Sequence, residues 1–148
     1  MPLVARAKSI VRARPEIVFD AFVNPDKMKQ FWFHRKDAGL EPNEVVTWYI
    51  GDDDEALGFD VHVIDLKPHS LIHVSWDEEE GPTEVRWVLE ETEEQETILT
   101  IEETGFSGSD EEIVAQALDS TGGFNQVIIA AKAFIDHGVA INVVSDHA

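Results

Sequence analysis

Apolar and polar residues alternate with a period of two over residues 44–50, 58–66, 71–76, 83–91 and 97–103. Each run is rich in Val, Ile, Thr and Trp, the pattern of a strand with one buried face. Turn chemistry separates the runs: Gly51, Lys67-Pro68-His69-Ser70, Gly81-Pro82, and the acidic stretch at 93–96. Strands this close in sequence pair antiparallel, because a parallel return needs a crossover. Residues 3–12 alternate more loosely and suit a first strand.

The period changes twice to that of a helix. Arg14-Pro15-Glu16 opens a first helix, with proline where a missing N–H costs nothing, and Ile17, Val18, Ala21 and Phe22 share a face. Asn24-Pro25 breaks it, and residues 26–31 form a second short helix capped by Asn24 or Asp26. Near the end, Ser109 or Asp110 caps a long helix whose first turn carries Glu111 and Glu112. Ile113, Val114, Ala117 and Leu118 share one face of it, and Thr121-Gly122-Gly123 reads as a break or kink. From Phe124 onward Val127, Ile128, Ala131, Phe134 and Ile135 complete a stripe, and Gly138 ends the helix. The order predicts one α+β domain over residues 1–148. Its curved antiparallel sheet of about six strands wraps a long C-terminal helix, with two short helices after the first strand.

Alternation also assigns faces. With Lys67–Ser70 as a four-residue turn, Leu66 lies opposite Leu71, Ile64 opposite His73 and His62 opposite Ser75. Phe59, Val61, Val63 and Asp65, with Ile72, Val74 and Trp76, then form the more apolar set and face inward. Val85, Trp87 and Leu89 alternate with Glu84, Arg86 and Glu90, which places Trp87 inward beside Leu99 and Ile101. Val46, Trp48 and Ile50 outrank Val45, Thr47 and Tyr49 for the inner face. The inner surface is therefore Trp48, Phe59, Val61, Trp76, Trp87, Leu99 and Ile101, facing Phe124, Ile128 and Ala131, with Phe31 and Trp32 near one end. A curved sheet gripping one helix can leave an apolar cavity among these side chains, and such cavities hold small hydrophobic ligands. The competing expectation is that the aromatics fill the space as core.

Charge narrows the partners. Thirty Asp and Glu against eleven Lys and Arg give a net charge of −19, which repels nucleic acid and anionic lipid and suits a solubility surface or a basic partner. The absence of cysteine excludes disulfides and thiol chemistry, and fits a cytoplasmic protein. The N-terminal residues carry charges where a signal peptide needs an apolar run. No stretch approaches the ~20 apolar residues of a membrane span. Six histidines show no metal-ligand spacing; His62 and His73 share the outer face, and no metal is expected. No phosphate loop or dinucleotide fingerprint occurs, so no cofactor is implied. Asp65 and Glu103 are acids at inward positions near strand ends, where either could serve as a general base. His34 sits with Arg35 and Lys36, the basic cluster of the chain, and could flank a cavity mouth and meet a ligand carboxylate.

Four segments together resemble the START-related helix-grip superfamily. They are Arg14-Pro15-Glu16-Ile17-Val18-Phe19-Asp20-Ala21-Phe22, Asn24 to Trp32, Leu71-Ile72-His73-Val74-Ser75-Trp76, and Thr97 to Phe106. The branch they are most similar to is named for the activator of heat-shock-protein-90 ATPase homologue-like domain. The chain departs from the pattern at Gly123-Phe124, where Gly-Trp is usual, at Phe33, and at Glu103. The resemblance implies a helix-grip fold with a habit of binding small hydrophobic ligands, and Glu103 alters the chemistry at the cavity mouth. Three functions follow as expectations. The first is a carrier or sensor of a small hydrophobic or amphipathic molecule. The second is a co-chaperone-like module engaging a chaperone or another protein with a basic surface. The third is a cyclase- or hydratase-type enzyme using Asp65 or Glu103.

Overall fold

The computed structural model describes residues 3–35, 40, 43–50, 57–76, 81–144 and 146. The elements are β1 (Ala5–Val11), α1 (Pro15–Val23), α2 (Pro25–Met28), β2 (His34–Arg35), β3 (Val45–Ile50), β4 (Leu57–Lys67), β5 (Leu71–Trp76), β6 (Thr83–Glu91), β7 (Thr97–Thr104) and α3 (Asp110–His137). They form one antiparallel sheet in the order β1-β7-β6-β5-β4-β3-β2. The expected set of strands is present, and the seventh is β2, two residues pairing with Tyr49 and Trp48 in what the sequence reads as a loop. The edge beyond the last strand of the meander is β1, which pairs with β7 from Ala5↔Glu103 to Val11↔Thr97. The result is the helix-grip arrangement, a sheet laid against one long helix.

The β4–β5 hairpin departs from the expected register in two ways that cancel. Lys67, not Leu66, pairs with Leu71, so the turn is Pro68-His69-Ser70, with His69 in the left-handed region at φ 66. The register then shifts between Val63 and Asp65, leaving Ile64 as the extra residue of a bulge. Beyond it, His62 lies opposite Ser75 as expected. Between turn and bulge the faces are exchanged. Leu66 pairs with buried Ile72 and packs against the core, while Asp65 pairs with His73 on the outer face. Asp65 is thus not an inward acid, because one inserted residue reverses every side chain on its turnward side.

The helices bury what their spacing requires, with exceptions that matter later. Pro15, Val18, Ala21 and Phe22 form the inner face of α1, whereas Ile17 is 53% exposed. Asn24 caps α2 by accepting from the Asp26 N–H at 3.0 Å. Ser109 and Glu112 close a capping box at the start of α3, and Gly138, in the left-handed region, ends it. Between these caps α3 is one helix, with no break at Gly122-Gly123. Its second half carries the expected stripe, with Phe124, Val127, Ile128 and Ala131 buried. Its first half does not: Ala117 is buried, but Val114 and Leu118 point to solvent.

An outer strand presents unpaired backbone groups, and β1 is one. Here α3 supplies the missing partners. Lys132 donates to the Ile10 carbonyl, and Asp136 accepts from the Arg12 N–H at 3.0 Å. Lys132 and Asp136 are one turn apart and 3.7 Å from each other, so a single helix face covers the strand's last edge groups. The Arg12 guanidinium is held more firmly protonated, first through its hydrogen bond to Glu96 and then by that carboxylate's charge. Among the described residues, no helix is long and apolar enough to cross a membrane.

Candidate functional site

The middle of the sheet is packed. Trp32, Trp48, Trp76 and Trp87 form a continuous cluster, with ring centroids 5.3 Å apart for Trp32–Trp48, 5.8 Å for Trp32–Trp87 and 5.9 Å for Trp48–Trp76. Most of these contacts are edge-on, the preferred arrangement of aromatic quadrupoles. Trp48 and Trp87 are each 1% exposed, and Phe31, Val61, Leu99, Ile101, Ile128 and Ala131 are buried around them in the same core. Phe59 is half-buried, with Phe33 at 5.1 Å and Trp76 at 6.0 Å. Apart from Trp32 and Trp76, which stand at the edge of the cluster, these side chains pack against each other as core.

Open space begins at one end of this cluster, as a cleft of about 560 Å³. Trp32, Phe33, Trp76, Phe106 and Phe124 make its aromatic walls, and Val143 and Val144, folded back after the helix, add an aliphatic one. Trp76 and Phe124 stack across it at 6.3 Å. Its polar groups are Thr83, Glu103, Gln116, Asp119, Ser120 and Gln126, and Gly123 leaves a gap in the helix wall. A Cβ built at Gly123 meets nothing within 4 Å. The cleft exists because the first half of α3 turns polar residues toward the sheet: Gln116, Asp119, Ser120 and Gly123 sit where the second half carries Phe and Ile. Gln116 is itself anchored, its side-chain amide donating to the Ser107 carbonyl at 2.9 Å.

At the inner end of the cleft is Glu103, 4% exposed at the end of β7. One carboxylate oxygen, Oε2, accepts from the Trp76 indole N–H at 3.1 Å and from the Thr83 hydroxyl. Pairing places these three residues together, since Trp76 lies opposite Thr83 and Val85 opposite Glu103. No hydrogen bond from the described residues reaches Oε1. A buried acid with one oxygen tied down and the other open can receive a donor from a molecule in the cleft.

Of the residues expected to bind ligand, Trp32, Trp76 and Phe124 reach the cleft, and of the polar ones Glu103 does. Asp65 does not, for the bulge described above. His34 has its backbone in β2, and its side chain lies outside the described residues. Sequence reasoning missed Thr83, Phe106, the α3 polar group and the two valines. The α3 group had a signal: residues 116, 119, 120 and 123 have helical spacing, and they interrupt an apolar face with polar or absent side chains. On the outer face His73 contacts Glu84 at 2.7 Å. Among the described residues, no cluster of three potential metal ligands occurs.

Comparison with known proteins agrees with this architecture. A solved structure from Staphylococcus saprophyticus aligns with a TM-score of 0.75 at 27% identity, covering 94% of this chain and 96% of that one. The solution structure of the Aha1 dimer from Colwellia psychrerythraea aligns with a TM-score of 0.72 at 16% identity, covering 92% and 98%. CalU16 from Micromonospora echinospora aligns with a TM-score of 0.70 at 14% identity, covering 98% and 88%. No curated protein matches the sequence significantly. The family model described as Activator of Hsp90 ATPase homolog 1-like protein matches residues 12–130, from just after β1 into the second half of α3, and the chain therefore belongs to that family.

Proposed function

We propose that this protein is a carrier or sensor that binds a small apolar or amphipathic molecule in the cleft between the first half of α3 and the Trp76–Thr83–Glu103 end of the sheet. The observation that carries this reading is the contrast within one interior. Eight residues expected to line a cavity are packed core, while a cleft of about 560 Å³ with aromatic walls and a buried acid stands beside them. Its volume falls within the ~300–1,000 Å³ of small-molecule sites, and its walls combine aromatic and aliphatic side chains with a set of polar ones, as an amphipathic ligand requires. The binding habit associated with the family supports the same reading.

A thermal-shift screen against fatty acids, sterols, flavonoids, aromatic polyketide-like compounds and arylalkyl amines tests it. A ligand at ~100 times its dissociation constant adds ~2.7 kcal/mol, or roughly 5–11 °C for a domain of this size. Gly123→Leu, which fills the gap in the helix wall, should abolish the shift while leaving the unliganded melting temperature within a few degrees. A saturable shift that Gly123→Leu leaves intact would place binding elsewhere and defeat the reading.

A second reading rests on the net charge of −19 and on the Hsp90-activator description of the family. In it the acidic surface docks on a chaperone or another protein with a basic surface. Such a complex weakens as salt rises, because surface charges are screened beyond a Debye length of ~8–10 Å. Binding to Hsp90 that is equal at low and high salt, or absent at both, would remove it.

A further inference from the structure

Resting on the cleft-binding reading, we propose that the cleft selects ligands bearing a protonated amine beside an apolar or aromatic body, with Glu103 Oε1 as the amine's partner. Four features of the site agree. The described walls contain two acids, Glu103 and Asp119, and no Lys, Arg or His. Glu103 is nine-tenths buried and more, and its Oε1 receives no hydrogen bond from the described residues while Oε2 receives two. An anion placed beside it would be a second buried negative charge, whereas a cation converts an unmatched buried acid into a pair. The aromatic walls add to the preference, since the faces of Trp and Phe attract cations. Finally, the Thr83 and Trp76 hydrogen bonds fix the carboxylate before any ligand arrives, so little ordering remains to oppose binding. The same arrangement disfavours fatty acids and other ligand carboxylates at the Glu103 end of the cleft.

The test uses three probes with one apolar body: 2-(2-naphthyl)ethylamine, 2-ethylnaphthalene and 2-naphthylacetate, titrated at pH 7 by calorimetry or tryptophan fluorescence. The amine should bind at least ~10-fold more tightly than the acid, the factor a charge-assisted hydrogen bond with a cation–π contact supplies. Glu103→Gln should remove most of the amine's advantage over the neutral probe, leaving only what the aromatic faces supply, and leave the neutral probe's affinity unchanged, which also reports that the variant is folded. Asp119→Asn, at the exposed rim, should weaken the amine by no more than ~2-fold, a change of the size screened rim charges give. Equal or tighter binding of the acid, or an amine preference that Glu103→Gln leaves undiminished, would overturn the selectivity and leave the cleft reading standing. If none of the three bound the wild-type protein, the cleft reading would fall and the selectivity with it.

Discussion

Replacing Trp87 with alanine should cost about 3 kcal/mol, near the low end of the ~3–5 kcal/mol range for such truncations. Trp87 is 1% exposed and pairs across the sheet with Ile72 and Ile101. It also touches Phe22 at 6.0 Å, Trp32 at 5.8 Å, Trp48 at 6.5 Å and Trp76 at 6.4 Å. Each aromatic contact contributes ~0.5–1.5 kcal/mol beyond area burial, which argues for a large loss. Against it stands the indole N–H, buried with no hydrogen-bond partner, a cost of ~1–3 kcal/mol that the truncation relieves. The melting temperature should fall by roughly 6–12 °C, and urea unfolding should show a lower midpoint at nearly unchanged slope. Trp87→Phe keeps most of the ring contacts and removes the orphan donor, so its loss should be about 1 kcal/mol or less. Arg86→Ala, on the outer face with Glu84 at 3.9 Å, should change little. A loss below ~1 kcal/mol for Trp87→Ala, accompanied by lost ligand binding, would mean that Trp87 lines a cavity and that the packed-core account is wrong.

Other substitutions probe separate parts of the account. Gly122→Ala adds a Cβ that meets nothing within 4 Å, and should stabilise the unbroken α3 by ~0.5–1 kcal/mol in thermal unfolding; a loss would restore a kink at that position. Leu66→Ala should cost ~2–3 kcal/mol and Asp65→Ala less than ~0.5 kcal/mol, and the reverse order would contradict the β4 bulge. Asp136→Ala removes the acceptor for the Arg12 N–H and should cost ~1 kcal/mol while speeding hydrogen exchange at that amide. Unchanged exchange there would show that the helix does not cover the β1 edge.

The fold was legible because it rests on periodicity. Each long strand and both ends of α3 follow from residue spacing and caps such as Ser109 and Gly138, which act locally. Face assignment survived wherever a strand was regular, at Val46, Trp48, Val74, Trp76, Val85 and Trp87. It failed at Asp65 because a bulge and a three-residue turn leave no mark in a pattern of period two. The extent of the cavity was not legible. Whether aromatic side chains touch one another or bound a space depends on how closely α3 approaches the sheet. At the cleft α3 presents Gln116, Asp119, Ser120 and Gly123, whose helical spacing is visible in sequence but whose distance from the sheet is not. The return of Val143 and Val144 to the cleft is a tertiary contact after the last periodic element, with no local signal at all.

The most direct test of the central claim, a cleft at one end of an otherwise filled core, lies in the four tryptophan indole N–H resonances. They would be followed by two-dimensional 15N NMR during titration with 2-(2-naphthyl)ethylamine. The account expects Trp76, whose N–H bonds Glu103, and Trp32 to shift progressively, while Trp48 and Trp87 stay near their unliganded positions. Large shifts at Trp48 and Trp87 with none at Trp76 would place the ligand inside the sheet and contradict it.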